Sequence, residues 1–569
     1  MGMGDGWRDL AHLDESGATT DRVLFFWSSL EPSGPDSFQP DFYLPSREKM
    51  QQEVDNGQQI VGVIQFTPPW AARNPELGER SVPSGLGDPN GPWSSFVRRL
   101  VNHYKGQVKH WTFWNEMEFR PNDIGAGGAT TWAGTEAEYW QLLKDGYRAV
   151  KSADADATVI FGATSYWVDV ANNREPYVER VLRVAELDPE ARPNGWFFDV
   201  IAMNIYRAPD DVYRIFFELD AILASHGIDK PMWITEHNCM PFNDPATPKP
   251  DDAQRCTLDE QSAYLIQSYA MAFAAGWERV LWYQLTDSEI WQTQEVWGLI
   301  RDDGSKRPAF EAYKVFAHLL AKAERFTFKP LSRETSNWSA WPTDQDSYYP
   351  NWQVYQVVAD GGGTRVNIVW NGDGAPLRAR VRRDGASAIK VDKTGNQTPL
   401  EAVDGWYVVD LGPASAHGPA DPNGYFYVGG DPVMIVQSGV PDSAPISKPA
   451  LGDPGSQPSE FRVFVTPEGG QKVVGGESAS FQLDIRGYEG FGDQIAIALQ
   501  SYSTQRDPGL LDALPPSISL SAPGTALPDE TVAVQVHTTA EIAPGIHFIT
   551  LQLEGGGVTR SVDLVVQVD

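Results

Sequence analysis

A chain of 569 residues exceeds what one hydrophobic core organises, so two to four domains are expected. Its 41% hydrophobic and 11% aromatic content is that of a globular protein and excludes a disordered one. A net charge of −31, from 45 basic and 76 acidic residues, repels phosphate backbones and anionic lipid, so neither nucleic acid nor a membrane surface is an expected partner.

The chain starts MGMGDGWRDL, which has neither the basic n-region nor the apolar h-region of a signal peptide; either it is cytoplasmic or a leader lies upstream. WRDLAHLDESGATTD (7–21) reads as a helix. Seven apolar runs follow: RVLFFW (22–27), IVGVIQF (60–66), VKHWTFW (108–114), ATVIFGA (157–163), FDVIAMNIY (198–206), MWIT (232–235) and RVLWYQL (279–285). The spacing leaves room for a helix and two loops between consecutive runs. Trp93, Phe96, Val97, Leu100, Val101 and Tyr104 recur with helical period, as do Val212, Ile215, Phe216, Leu219, Ile222 and Leu223. Alternating β and α units with continuously apolar strands predict a parallel sheet covered by helices, and this many units predict a (β/α)8 TIM barrel over residues 1–330. No Gly-rich dinucleotide motif or P-loop follows any strand, which disfavours an open doubly wound sheet. The first strand has only MGMGDG to form it, so it is expected to be short or missing.

From about 331 to 440 the helical period gives way to alternating strands such as TRVNIVW and GWYVVDL, a predicted β-sandwich. A proline-rich linker is predicted at 441–458. Over 459–569, FRVFV, SFQLDI, QIAIAL, SISL, VAVQV, HFITLQL and RSVDLVVQV predict an immunoglobulin-like accessory sandwich, without the Cys…Trp…Cys of antibody domains. The two cysteines, Cys239 and Cys256, could form a disulfide or remain free thiols, and they lack zinc-site spacing. The nine histidines include no H-x-H or H-E-x-x-H and no strand ends in G-x-S-x-G, so no metal, cofactor or serine-hydrolase elbow is expected.

Barrel function lies where strands end at the C-terminal face. Two ends carry a glutamate after an apolar strand, Glu116 and Glu236. If the N-terminal residues supply the first strand, these lie on the fourth and seventh, which face one another across the mouth. Paired carboxyls are what glycosidic-bond cleavage uses, one as acid and one as nucleophile or base. Glu118, two residues beyond Glu116, is expected on the rim as a substrate contact or a solvated strand end. Indole faces stack on the C–H faces of sugars, and Trp70 and Trp282, near strand ends, are the expected stacking residues.

WNE at 114–116 and TE at 235–236 resemble the signatures of clan A glycoside hydrolases, the retaining (β/α)8-barrel enzymes. Arg22 and the ending WSSLEP, TPPWA (67–71), Tyr206 and WGLIRDDGSKRPAFEAY (297–313) add to the likeness, which looks nearest to family 39 and its unclassified bacterial relatives. The resemblance implies that Glu116 is the acid/base and Glu236 the nucleophile. It implies that Asn115 serves the substrate and that Arg22 and Tyr206 serve the nucleophile; Asn204, a candidate substrate contact, departs from the clan by standing where it often has histidine, and His237, beside Glu236, is either a substrate contact or a hydrogen-bonded neighbour. The expectation is a retaining hydrolase of a β-linked oligo- or polysaccharide, secreted or at the cell surface. The alternative is a non-catalytic carbohydrate-binding or scaffold protein built on a degenerate barrel.

Overall fold

The computed structural model describes residues 1–40, 45–121, 123, 130–247, 255–290, 293–332, 352–373, 376–417, 426–441, 443–452, 460–466, 471–488, 491–504, 511 and 513–568. Residues 248–254, the stretch 333–351 opening the expected sandwich, and 453–459, which include the end of the predicted proline-rich linker, lie outside the described residues. The chain forms two compact units, Met1–Asn238 with Met271–Phe310 and Cys239–Ala270 with Glu311–Asp569.

In the first unit eight parallel strands close into a barrel: β1 (Gly2–Gly4), β2 (Thr20–Phe26), β3 (Gln59–Gln65), β4 (Val108–Phe113), β5 (Thr158–Thr164), β6 (Val200–Ile205), β7 (Met232–His237) and β8 (Arg279–Trp282). The first strand is therefore present and short. Gly2–Gly4 aligns with Thr20–Arg22 on β2, and Gly2–Met3 aligns with Leu281–Trp282 on β8. Its composition has a steric reason: a Cβ on Gly2 would sit 2.8 Å from Leu281 Cγ and 2.9 Å from the Thr20 carbonyl oxygen.

Helices follow the strands as α1 (Leu10–Ser16), α2 (Arg47–Asp55), α3 (Pro92–His103), α4 (Glu136–Ala153), α5 (Tyr177–Glu186), α6 (Asp211–Ser225), α7 (Leu258–Ala275) and α8 (Pro308–Leu320), the last two crossing the division between units. Their starts are encoded locally. The Asp9 side chain accepts from His12 N–H at α1, Ser46 caps α2, and Thr135 with Glu138 forms a full capping box at α4. The stripe Trp93, Phe96, Val97, Leu100 and Val101 is the buried face of α3.

The strand starts are plugged by polar groups. Arg279 stacks 4.4 Å over the Trp233 ring and donates to Thr20 Oγ1 (2.9 Å) and Gln59 Oε1 (2.6 Å), and His110 Nε2 lies 3.0 Å from that same Gln59 oxygen. Burial, aided by the Arg279 charge, holds His110 neutral with its pKa down at about 4.

The second unit contains two sandwiches. One pairs a seven-stranded sheet running through Trp352–Gly361, Thr364–Asn371 and Val433–Ser438 with a three-stranded sheet of Leu377–Arg382, Trp406–Leu411 and Ala450–Leu451, around Val354, Val369, Ala379, Val409 and Ile435. Segment 443–452 lies against it: Arg365 donates to the Ala444 and Pro445 carbonyls, and Gln356 to that of Ser447. The other packs four strands on five around Phe461, Phe481, Leu483, Val534 and Leu551. Cys239 and Cys256 are joined as a disulfide.

Candidate active site

β4 ends at Phe113, and the chain then leaves strand geometry twice. Trp114 (φ 68°) and Glu116 (φ 53°) are left-handed, a conformation that costs a non-glycine residue about 1–3 kcal/mol. The surroundings hold the turn. Trp114 N–H donates to the Ile64 carbonyl and Glu116 N–H to that of Ala163, both at 2.8 Å, while Thr131 Oγ1 donates to the Asn115 carbonyl at 2.6 Å. Trp114 itself is fully buried, its indole N–H donating to the Thr131 carbonyl. Strict alternation would send Asn115 and Glu116 to opposite faces of the sheet. The two left-handed residues abolish it, and both side chains reach the same hydrogen-bond network.

A register shift does the equivalent work on the other side. Met203 is aligned with Ile234 but Asn204 with Glu236, leaving Thr235 as an extra residue on β7. Bulges of this kind re-aim side chains. Here Glu236 stands beside Asn204, and Thr235 Oγ1 donates to Asn204 Oδ1 at 3.0 Å.

The side chains of Arg22 (β2), Asn115, Glu116, Asn204 (β6), Tyr206 and Glu236 (β7) meet in one network. Arg22 Nη2 lies 2.8 Å from Glu236 Oε1 and donates to Asn115 Oδ1 at 3.0 Å. Tyr206 Oη donates to Glu236 Oε2 at 2.7 Å, so both oxygens of Glu236 are engaged. Asn204 Nδ2 donates to Asn115 Oδ1 and Glu116 Oε1, each at 3.1 Å. The two glutamates are thus bridged through Asn204, Asn115 and Arg22. Their environments differ: Glu236 has a guanidinium and a phenol, whereas Glu116 has one amide donor. Burial, then the charge of Glu236, pushes the Glu116 pKa up to about 8, overcoming the opposite pull of Asn204 and Arg22. Burial and the same charge raise the Tyr206 phenol well above its ordinary range, so it stays a donor.

The remaining expected residues fall elsewhere. Trp282 is fully buried and offers no face to a sugar. Tyr283 and Trp297 are the partly open aromatics here, with Tyr206 edge-on to Trp297 at 5.3 Å and to Tyr283 at 6.4 Å. Strand parity distinguishes Trp282 from its neighbour: Arg279 turns into the barrel, and Tyr283, not Trp282, shares its phase. Asn238, also absent from the expected set, donates through Nδ2 to the carbonyls of Tyr283 (2.5 Å) and Trp297 (2.6 Å) and positions both. His237 is fully buried, its Nδ1 2.6 Å from the Ile205 carbonyl, and burial lowers its pKa to about 4; it is a neutral, hydrogen-bonded neighbour of Glu236 rather than an open contact. Trp70 is half-buried, its indole N–H donating to the Glu31 carbonyl and its ring edge-on to Trp27. Glu118 corrects the expectation of a rim position, because it is wholly buried and accepts from Ser165 Oγ at 2.8 Å and from the Ser165 N–H. Among the described residues no group of three or more His, Cys, Asp or Glu could hold a metal ion.

No protein-family model matches the chain, and no curated protein does. Among solved structures it is similar to a glycoside hydrolase family 30 subfamily 8 xylanase from Clostridium acetobutylicum, at 11% identity over 77% of this chain and 95% of that one, with a TM-score of 0.47. A glucosidase from Croceicoccus marinus is similar at 13% identity over 75% and 91%, TM-score 0.47. A family 30 endoxylanase from Clostridium papyrosolvens C71 is similar at 11% over 77% and 93%, TM-score 0.47. Likeness at this level assigns neither family nor activity.

Proposed function

We propose that the barrel is a retaining glycoside hydrolase acting on a β-linked oligo- or polysaccharide. The observation that carries this is a pair of glutamates in one network at the barrel mouth, with one fully engaged by Arg22 and Tyr206 and the other sparsely bonded and held protonated. Two carboxyls in unlike environments are what double displacement needs.

Glu236 attacks the anomeric carbon as a carboxylate aligned by Arg22 and Tyr206, forming a glycosyl ester. Glu116 donates its proton to the departing oxygen. Once Glu236 is esterified its charge is gone, and with it one of the causes that keep Glu116 protonated. Glu116 then takes a proton from water, which opens the ester from the same face. The Asn115 amide, held through its oxygen by Arg22 and Asn204, serves the hydroxyl next to the anomeric carbon. Tyr283 and Trp297 give the sugar an aromatic wall beside Glu236. The disulfide Cys239–Cys256, three residues after Glu236 in sequence, suits an oxidising compartment and so a secreted or surface location.

A panel of aryl β-glycosides and polysaccharides, assayed with wild type, Glu116→Ala and Glu236→Ala, tests the assignment. Turnover with retained anomeric configuration by NMR, azide rescue of Glu236→Ala with inverted product, and loss in both variants are expected. Sugar binding without turnover in wild type would instead support the non-catalytic carbohydrate-binding protein.

A further inference from the structure

Glu118 is a third carboxyl beside this pair, and the mechanism above leaves it idle. It is wholly buried. One oxygen, Oε1, accepts from both the N–H and the Oγ–H of Ser165, the residue just after β5. The other, Oε2, is buried with no hydrogen-bond partner. Its backbone carbonyl accepts from Arg174 Nη2 at 3.2 Å, while the rest of that guanidinium is committed to Asp123 and Asp169. The titratable groups facing Glu118 are Glu116 on its own turn, Tyr139 of α4 and Tyr177 of α5, with Arg174 the nearby cation. None supplies a donor to Oε2. A bare carboxylate oxygen in that position would be a buried charge with no donor, whereas a neutral carboxyl carries its proton there and presents Oε1 as a carbonyl acceptor.

What Glu118 fastens is the turn that bears Glu116. The backbone of this turn is already tied to β5 by Glu116 N–H on the Ala163 carbonyl, and Glu118 adds a second tie two residues along at Ser165. Between them lies a residue in left-handed conformation whose side chain must point at Asn204.

We propose that Glu118 is a positioning residue for the general acid: as a neutral carboxyl locked to Ser165 it fixes the left-handed turn and so the direction in which Glu116 delivers its proton. This deepens the hydrolase reading and rests on it. Burial above all, joined by repulsion from Glu116 once that group ionises, raises the Glu118 pKa well above the ordinary carboxylate range, in keeping with the neutral form.

The test uses two substrates that share the sugar wild type cleaves best, one with a dinitrophenyl leaving group that departs unaided and one with an alkyl group that must be protonated. For Glu118→Ala, kcat/KM should fall about 10- to 100-fold on the alkyl glycoside, as expected for a misplaced proton donor, and stay within about threefold on the dinitrophenyl one. Glu118→Gln, which keeps the acceptor for Ser165 and a neutral group at Oε2, should retain wild-type rates and the wild-type alkaline limb. Equal losses of Glu118→Ala on both substrates would mean a merely structural role and overturn the proposal. So would a Glu118→Gln variant as impaired as Glu118→Ala, or one whose alkaline limb moves to lower pH, which would reveal a charge at Glu118 in wild type. Urea midpoints of all three proteins separate lost fold from lost chemistry. A wild type inactive on both glycosides would sink the hydrolase reading itself, a result distinct from any of these.

Discussion

Glu116 holds its proton because it is buried and because Glu236 is close and negative, and the second cause can be removed by substitution. The proposed mechanism requires the protonated acid, so kcat/KM should fall as pH rises through about 8, the value to which the Glu116 pKa is raised. Glu236→Gln deletes the charge and leaves the burial, so the carboxyl of Glu116 should titrate at lower pH in that variant than in wild type. Carbon NMR of labelled glutamate reads this directly, and a titration unchanged by the substitution would remove Glu236 as a cause. The aromatics give a second comparison at the same scale. Trp297→Ala should raise KM for oligosaccharides several-fold, because a lost aromatic contact is worth about 0.5–1.5 kcal/mol. Trp282→Ala should show mainly as lost stability, about 3–5 kcal/mol for a buried tryptophan, with little change in KM of the folded fraction. If Trp282→Ala alone raised KM, the wall would have been assigned to the wrong residue.

Among the elements, β2 and α2 share a group whose charge state depends on pH. Asp21 accepts from the N–H of Gly6 (2.7 Å), Trp7 (3.0 Å) and Arg22 (2.8 Å), thereby tying the turn after β1 to the strand that carries Arg22. Glu53, buried on α2, has no donor for either oxygen and faces the Asp21 carboxylate, so the contact is satisfied with a proton between them. Burial, then the charge of Asp5, raises the Asp21 pKa to about 7 against the pull of its hydrogen bonds, that from Glu53 among them, while burial and then the charge of Asp21 raise Glu53 to about 10. Folded-state values above the unfolded ones, near 4, mean that this stability is complete below about pH 4 and is lost progressively as pH climbs through the folded values. Glu53→Gln supplies a permanent donor to Asp21, so its Tm should decline less than that of wild type between pH 5 and 9. Parallel Tm–pH curves for the two proteins would refute the shared proton.

The strands were legible because each is an apolar run between helical stripes, and the strand-end rule then brought Asn115, Glu116, Asn204, Tyr206 and Glu236 to one mouth, with Arg22, inside β2, added by the family resemblance alone. What stayed hidden has physical causes. A left-handed φ at Trp114 or Glu116 has no sequence signal, since it is enforced by Ile64, Ala163 and Thr131 from elsewhere in the chain. The extra residue at Thr235 is equally silent. Trp282 and Tyr283 were indistinguishable in sequence because barrel strands are apolar on both faces, and the inward turn of Arg279 that sets their phase is visible only in the fold. Glu118 misled because an acid at a strand end ordinarily meets water, and only the fold supplies the Ser165 donors.

The whole molecule carries 76 acidic residues against 45 basic ones, and this imbalance sets how it responds to salt. Buried pairs such as Arg307–Asp287, with both side chains inaccessible and bonds of 2.7 and 2.8 Å, are little screened. Exposed pairs such as Arg148–Glu190 contribute about 0–1 kcal/mol each and lose part of that in salt. Against these small losses stands the self-repulsion of a net −31 held in a compact state, which weakens as the Debye length shrinks from about 30 Å at 0.01 M to about 3 Å at 1 M. The unfolded chain spreads the same charge over a larger volume and gains less from screening. The repulsive term is the larger, so Tm at pH 7 should rise by several degrees between 0.01 and 0.5 M sodium chloride. Lowering the pH to 5 should flatten this response, because carboxyls begin to protonate and the excess charge falls. Calorimetry at matched protein concentration checks both. A Tm that fell with salt would place the balance with the surface ion pairs, and the acidity would then serve solubility alone.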